Sequence, residues 1–204
     1  MTQAFYNHIT NLLAEVHAME ASEARDRITV LTPVIRLPGA IEAARSVQTA
    51  RERTPDLDVR HVMAYWPGEP DWGRARLAAW FTELMRQQPP GWLFIVDDDN
   101  RMHPDLLATF LRERDAHPAA WAFVFGMHHP DVHRQLLPAR LPPRPGLIDG
   151  GQMMIWRDYA VTLPWQAGPS GDGEYLAAIY EKAPHRWVAV EDVVCVHNNQ
   201  EVSP

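Results

Sequence analysis

Three consecutive aspartates, Asp97, Asp98 and Asp99, follow a short, wholly apolar run and are the residues of this sequence best suited to chemistry. Adjacent carboxylates repel one another, and a cation that supplies compensating charge makes such a cluster tolerable. Mn²⁺ and Mg²⁺ suit these oxygen ligands and commonly take one or two carboxylates together with substrate phosphates. In an extended segment, Asp97 and Asp99 would face one side as a metal clamp. An acidic turn or helix start is the alternative interpretation.

Apolar runs that alternate with amphipathic helical patterns position this cluster. The patterns predict strands at 28–34, 59–65, 92–96, 121–127 and within 146–160, helices at 40–53, 74–88, 103–117 and 174–184, and a final strand pair or extended segment at 186–199. Residues 128–146 and 166–173 read as loops. The fold class that we expect is α/β, with a mostly parallel central sheet flanked by helices. Ligands of such sheets bind beyond the carboxyl ends of the strands, where the aspartates lie.

Composition limits the classes of protein and of partner. With 204 residues and 46% hydrophobic residues, the chain predicts one globular domain at 28–204, preceded by an amphipathic helix at 1–27. A net charge of −7 argues against a nucleic-acid partner. The single cysteine, Cys195, suits a reducing compartment. Because neither a signal peptide nor a membrane-spanning stretch is apparent, we expect a cytoplasmic protein, with peripheral membrane or partner-protein contact left open.

Five segments together resemble one family, the GT-A glycosyltransferases, in particular those like glycosyltransferase family 2 and the glucuronyltransferases. They occur in the family's order, cover most of residues 28–199, and read ITVLTPVIRLPGAIEAARSV, GWLFIVDDDNRMHPDLL, LIDGGQMMIWRD, SGDGEYLAAIYEKAP and VAVEDVVCVHNN. The resemblance implies the GT-A fold. It also implies transfer of a sugar from a nucleotide diphosphate, with a UDP-sugar favoured, to an acceptor hydroxyl, by an inverting route. The acceptor would be a glycan, a lipid-linked molecule or a small molecule.

The resemblance also implies roles for individual residues. Mn²⁺ or Mg²⁺ would be held by Asp97 and Asp99, with His197 as a further ligand, and Asp98 would contact the ribose or a sugar hydroxyl. Asp172 is the expected general base and Glu174 the second choice. For both of these acids, stabilisation of a helix start is the alternative.

Other residues would contact the donor. Thr32 and Pro33 would line the nucleotide, Arg36 could meet a phosphate, and Gly150 and Gly151 would let the backbone approach the sugar. Arg134, Arg140 and Arg144, in the predicted loop, could also close over phosphates. The nucleobase contact is unassigned, with Glu69 and Asp71 as candidates.

Two other functions compete with this interpretation. A nucleotidyltransferase would also use aspartates and Mg²⁺, but the segment TPVIRLPGA has one glycine and no lysine. A non-catalytic module that binds sugar nucleotides or carbohydrate would keep the acids without turnover.

Overall fold

The computed structural model of the chain describes residues 24–35, 37–66, 75–129, 135–168 and 170–197. Most of the predicted N-terminal helix at 1–27 lies outside the described residues, as do Arg36, Glu69, Asp71 and Arg134. The other residues predicted for the site lie inside these ranges.

One eight-stranded sheet forms the centre of the described part of the chain. Its strands are β1 (Arg27–Val34), β2 (Asp58–Tyr65), β3 (Trp92–Ile95), β4 (Asn100–Met102), β5 (Ala122–His129), β6 (Gln135–Leu137), β7 (Met153–Trp156) and β8 (Trp187–His197). The order is β2-β1-β3-β7-β5-β8-β4, and β6 pairs with β5. Strands β1, β2, β3, β5 and β8 run in one direction, whereas β4, β6 and β7 run antiparallel to their neighbours. The expected mostly parallel sheet is confirmed.

Helices cover both faces of this sheet. They are α1 (Leu37–Arg53), α2 (Ala75–Arg86), α3 (Leu106–Ala116), α4 (Arg157–Ala160) and α5 (Gly171–Tyr180). Buried residues of α1 and α3 belong to one hydrophobic cluster, and those of α2, α4 and α5 belong to another. The layers are therefore helix, sheet and helix, as the alternating sequence pattern predicts. No helix of the described ranges combines the length and apolar content that a membrane crossing requires.

Burial on both faces of the sheet explains why the sequences of the central strands are apolar throughout. Val30 of β1 and Phe94 of β3 pack into the cluster beneath α1 and α3. Their neighbours Leu31 and Ile95 pack into the opposite cluster beneath α2 and α5. Successive side chains of a strand point to opposite faces. A strand that is covered on both faces therefore buries every side chain and favours apolar residues at each position.

Two short strands are absent from the sequence predictions. Strand β6 lies within the predicted loop 128–146, and β4 follows the three aspartates directly. Each has three residues, too few for an alternating pattern to be recognised. Helix α5 also begins at Gly171, inside the predicted loop 166–173.

Candidate active site

The three aspartates form a turn at the end of β3. The backbone N–H of Asn100 donates to the carbonyl of Asp97 at 2.9 Å, which closes the turn and leads the chain into β4. The expectation of an extended segment is therefore wrong, and the acidic turn left open as an alternative is what forms. Within this turn, Asp97 lines a cavity.

Asp98 is buried and ties the turn to the loop after β1. Its carboxylate accepts a hydrogen bond from the backbone N–H of Ile35 at 2.7 Å. The first turn of α1 packs on the same point, where a Cβ added to Gly39 would clash with the Asp98 carbonyl oxygen. Only glycine permits that approach. Asp98 thus holds the β1–α1 loop beside the aspartate turn, and its contact with a ribose or a sugar hydroxyl remains a prediction.

A fourth aspartate, Asp149, reaches the site from the other half of the chain. It precedes a 3₁₀ turn, Gly150–Gln152, and its side chain accepts from the backbone N–H of Gly151 at 2.7 Å. In return, the Gln152 side chain accepts from the backbone N–H of Asp149 at 2.9 Å. This reciprocal capping fixes the direction of the Asp149 carboxylate.

The Gln152 side chain also anchors the 3₁₀ turn to the sheet. It is fully buried, and its amide donates to the carbonyls of Phe125 at 2.8 Å and Leu137 at 3.2 Å. Gln152 thus ties the turn, with the two glycines that precede it, to β5 and β6. A Cβ on Gly150 would lie 3.3 Å from the Trp165 ring, so glycine leaves room for that ring.

Asp172 lies in the first turn of α5 and faces the same cavity as Asp97. Its carboxylate accepts a hydrogen bond from the backbone N–H of Gly150 at 3.0 Å. Burial raises the pKa of Asp172, and the backbone N–H groups of Gly173 and Gly150 partly oppose that rise. Glu174, the second choice for general base, is exposed and does not line the cavity.

The cavity between these acids has a volume of about 250 Å³, and we call it the acidic cavity. Trp165 forms part of its wall, stacked on Tyr175 at 4.5 Å and edge-on to Phe81 at 4.8 Å between ring centroids. Its lining residues are Pro33, Leu77, Ala78, Phe81, Ile95, Asp97, Gly150, Trp165, Gln166, Ala167, Gly168 and Asp172. Mostly apolar walls that include two carboxylates are suited to a small, partly polar ligand.

Asp97 is buried among the other carboxylates of the site. Its pKa is raised well above the ordinary range, first by burial and then by the charges of Asp149, Asp99, Asp172 and Asp98. A buried carboxylate in such surroundings either keeps its proton or binds a cation. Binding of a proton or a cation at Asp97 would therefore relieve the repulsion between these carboxylates.

The carboxylate oxygens of Asp97 and Asp99 are the donor type that Mn²⁺ and Mg²⁺ prefer. Within the described ranges, no three His, Cys, Asp or Glu side chains already converge on one metal position. A divalent ion that keeps most of its coordination for phosphate and water needs only one or two carboxylates. The residues present thus fit such an ion in an open site.

Two residues predicted to contact the donor, Thr32 and Pro33, lie on opposite faces of β1. Pro33 lines the acidic cavity, as expected. The neighbouring Thr32 is buried on the opposite face of the strand. Its hydroxyl oxygen lies 2.8 Å from the Nε2 atom of His61. Burial and the charge of Arg51 lower the pKa of His61, so the neutral imidazole is favoured there. Thr32 does not reach the acidic cavity, and its contact with a nucleotide stays a prediction.

The last strand brings its end to the aspartate turn. In the β4–β8 pairing, His197 is the partner of Asn100, so the backbone of the predicted third metal ligand runs beside the turn. Asn100 itself is buried, and neither polar atom of its side chain has a hydrogen-bond partner among the described residues. A Cβ on Gly151 would lie 3.0 Å from the Asn100 amide nitrogen. Gly151 therefore makes room for an unsatisfied amide next to Asp149.

Sequence reasoning missed two residues of this site, Asp149 and Asn100. The signal for Asp149 was present, because an acid three residues before Gln152 matches a capping box. No such signal exists for Asn100, since its burial depends on the short strand β4 and on the approach of β8 from the far end of the chain.

Comparison with known proteins identifies the fold. No protein-family model matches the chain, and no curated protein matches it in sequence. A solved structure of a glycosyltransferase involved in the glycosylation of the major capsid of PBCV-1 has a TM-score of 0.54 at 13% identity, over 84% of this chain and 92% of that one.

S. aureus TarS 1-349 in complex with UDP-GlcNAc has a TM-score of 0.59 at 12% identity, over 86% of this chain and 59% of that one. The chain thus spans about three fifths of that structure. Identities this low carry information about fold alone. The chain therefore shares the fold of these two glycosyltransferase structures, and the GT-A-like fold expected from the sequence is confirmed.

Proposed function

We propose that the protein is a glycosyltransferase that moves a sugar from a nucleotide-diphosphate donor to an acceptor hydroxyl. The observation that carries this proposal is the acidic cavity. Asp97 and Asp172 both line it, beyond the carboxyl end of β3. In sheets of this kind ligands bind at such strand ends. The shared fold supports the proposal, and the UDP-GlcNAc bound to TarS is the reason for favouring a UDP-sugar.

Asp97 and Asp99 are the proposed ligands of Mn²⁺ or Mg²⁺, with His197 as a third. When bound, the ion would neutralise the charge that develops on the donor diphosphate as the glycosidic bond breaks. The charges around Asp97 support this assignment, because a cation relieves the repulsion that Asp149 and Asp172 exert on it. Asp98, tied to Ile35, would keep the β1–α1 loop in place beside the diphosphate.

Asp172 is the proposed general base. The acceptor oxygen attacks the anomeric carbon, the bond to the diphosphate breaks, and its electron pair leaves with the nucleoside diphosphate. The hydroxyl proton passes to the Asp172 carboxylate, which the Gly150 N–H orients. Attack from the side opposite the leaving group inverts the anomeric configuration.

Thermal-shift measurements with UDP-, GDP-, CMP- and dTDP-sugars, each with and without Mn²⁺, test the proposal. At about one hundred times the dissociation constant, binding adds about 2.7 kcal/mol of stability. In a chain of this size that corresponds to a rise in Tm of roughly 5–10 °C. We expect this rise with one donor and only with metal, and release of the sugar from that donor on incubation with an acceptor mixture.

Matched variants test whether the metal-linked rise in Tm depends on the aspartate turn. Asp97→Ala and Asp99→Ala should abolish the metal-linked rise, whereas Asp56→Ala, which removes an exposed aspartate between α1 and β2, should keep it. A donor that binds without transfer or hydrolysis would favour the non-catalytic module. Retained Mn²⁺-dependent binding in both alanine variants at the turn would contradict the proposed ligands.

A further inference from the structure

A second cavity, of about 350 Å³, lies in the segment that joins β6 to the 3₁₀ turn. Two arginines, Arg140 and Arg144, stand among otherwise uncharged residues, and we call it the arginine cavity. It is lined by Pro138, Ala139, Arg140, Leu141, Pro142, Arg144, Leu147 and Ile148. None of these residues lines the acidic cavity, so the two are separate spaces.

The arginine cavity adjoins the proposed reaction centre. Its last lining residue, Ile148, directly precedes Asp149, and Gly150 lines the acidic cavity. The same segment packs on the start of α5, where a Cβ on Gly173 would lie 2.7 Å from Pro145 Cα. Gly173 is the neighbour of Asp172. A molecule in the arginine cavity would therefore lie close to the proposed general base.

Both guanidinium groups are available to a ligand. Arg140 and Arg144 are exposed, and neither makes a side-chain hydrogen bond or an ion pair within the described ranges. Some other arginines are paired: Arg112 lies 2.6 Å from Asp192, and Arg114 lies 2.7 Å from Asp26. A guanidinium presents a planar fork of donors that matches phosphate and carboxylate oxygens.

We propose that the arginine cavity binds a phosphate or carboxylate group of the acceptor, so that the acceptor is anionic. The inference rests on the proposed function. Asp97, Asp149 and Asp172 would repel an anionic acceptor, and the whole chain carries a net charge of −7. Two unpaired cations beside these acids offset that repulsion and fix the acceptor's orientation. The donor diphosphate belongs with the cation at Asp97, in the other cavity.

Binding of glucose 6-phosphate and of glucose, measured by titration calorimetry, tests the inference because the two probes differ only in the phosphate. The variants are Arg140→Gln/Arg144→Gln and a matched control, Arg60→Gln/Arg86→Gln, which removes two exposed arginines elsewhere. We expect the wild type to bind the phosphorylated probe about tenfold more tightly than glucose or better. The first variant should lose that preference and keep its affinity for UDP, and the control should retain both.

Each contrary outcome has a separate meaning. Equal binding of the two probes by the wild type overturns the inference, as does an equal loss in the control. Loss of UDP affinity in the Arg140→Gln/Arg144→Gln variant would also overturn it, by assigning the arginines to the donor. If the phosphate preference is present while no nucleotide sugar binds, the anion site stands and the proposed function fails.

Discussion

The acidic cavity and the arginine cavity are neighbours of opposite charge. In the first, Asp97 and Asp172 line a space bounded by aromatic rings, with Asp149 adjacent, and burial raises the pKa of both lining acids. In the second, Arg140 and Arg144 stand exposed among prolines and aliphatic side chains. Burial favours the protonated form of a carboxylate, whereas an exposed guanidinium always stays charged.

This difference in charge indicates separate roles for the two cavities. A cavity whose groups can gain or lose protons is suited to a chemical step, and a cavity of fixed charge is suited to holding a substrate. Changes in the acidic cavity should therefore act on kcat, and changes in the arginine cavity should act on KM for the acceptor. Substitutions in each cavity test that division.

The largest expected effect is that of Asp172→Asn. The amide keeps an oxygen that can accept from the Gly150 N–H, but it cannot take the acceptor's proton. Loss of a general base commonly lowers the rate by about 10²–10⁴-fold. We expect kcat to fall by that factor while the affinity for the donor stays near the wild-type value. Steady-state kinetics together with donor titration measure the two quantities.

Two comparisons sharpen this result. Glu174→Gln alters an exposed acid two residues away, and it should leave kcat within about twofold of wild type. Arg140→Gln/Arg144→Gln should raise KM for an anionic acceptor and leave kcat nearly unchanged. A collapse of kcat in Glu174→Gln, with Asp172→Asn active, would transfer the role of base to Glu174. A collapse of kcat in the arginine variant would refute the division between cavities.

The sequence predicts the first half of the fold better than the second. From β1 to β3, each element has a clear apolar pattern, and that pattern decides its type and place. The aspartate cluster was recognisable because it interrupts such a pattern. The surroundings of the cluster were not recognisable from local sequence. Asn100 becomes buried only through pairing of β4 with β8, which joins residues almost one hundred positions apart.

The geometry of the aspartates themselves also depends on distant residues. A strand and a turn are both possible for the letters DDDN, and contacts with Ile35 and with the first turn of α1 accompany the turn. The separation of Thr32 from Pro33 has a simpler origin. Consecutive residues of a strand covered on both faces point opposite ways, so only one of the pair can reach the acidic cavity.

The pH dependence of kcat gives a second, smaller contrast. The general base acts when unprotonated, so at saturating metal kcat should rise with pH through the pKa of Asp172. Because burial raises that pKa, the rise should lie above the range of an ordinary aspartate. Well below this pKa, kcat should fall by about tenfold for each pH unit.

No aspartate, glutamate or histidine lines the arginine cavity, so the arginine variant serves as the control. Arg140→Gln/Arg144→Gln should show the same dependence of kcat on pH as the wild type, at a higher KM. A kcat that does not change between pH 5 and 8 would mean that proton transfer to Asp172 does not limit turnover. A pH profile moved by the arginine variant would mean that the two cavities are coupled electrostatically.

The smallest effect concerns stability without metal. The pKa of Asp97 is raised in the fold, so the unfolded chain ionises at lower pH than the folded one. Stability is therefore lost as pH rises from the unfolded pKa to the folded pKa, and the loss persists above it. Asp97→Asn removes that loss, and it should stabilise the metal-free protein at pH 7 even though it harms function.

A gain of about 1–2 kcal/mol, common for such changes, corresponds to a rise in Tm of roughly 2–8 °C. The gain should shrink as the pH is lowered, because both states of the wild type then become protonated. Saturating Mn²⁺ should reverse the order of the two proteins, since only the wild type would bind the ion. Arg140→Gln/Arg144→Gln should leave Tm unchanged under all these conditions, because exposed guanidinium groups add little to folding. If Asp97→Asn destabilises the metal-free protein at pH 7, the carboxylate is satisfied by its surroundings, and the acidic cavity does not need a cation.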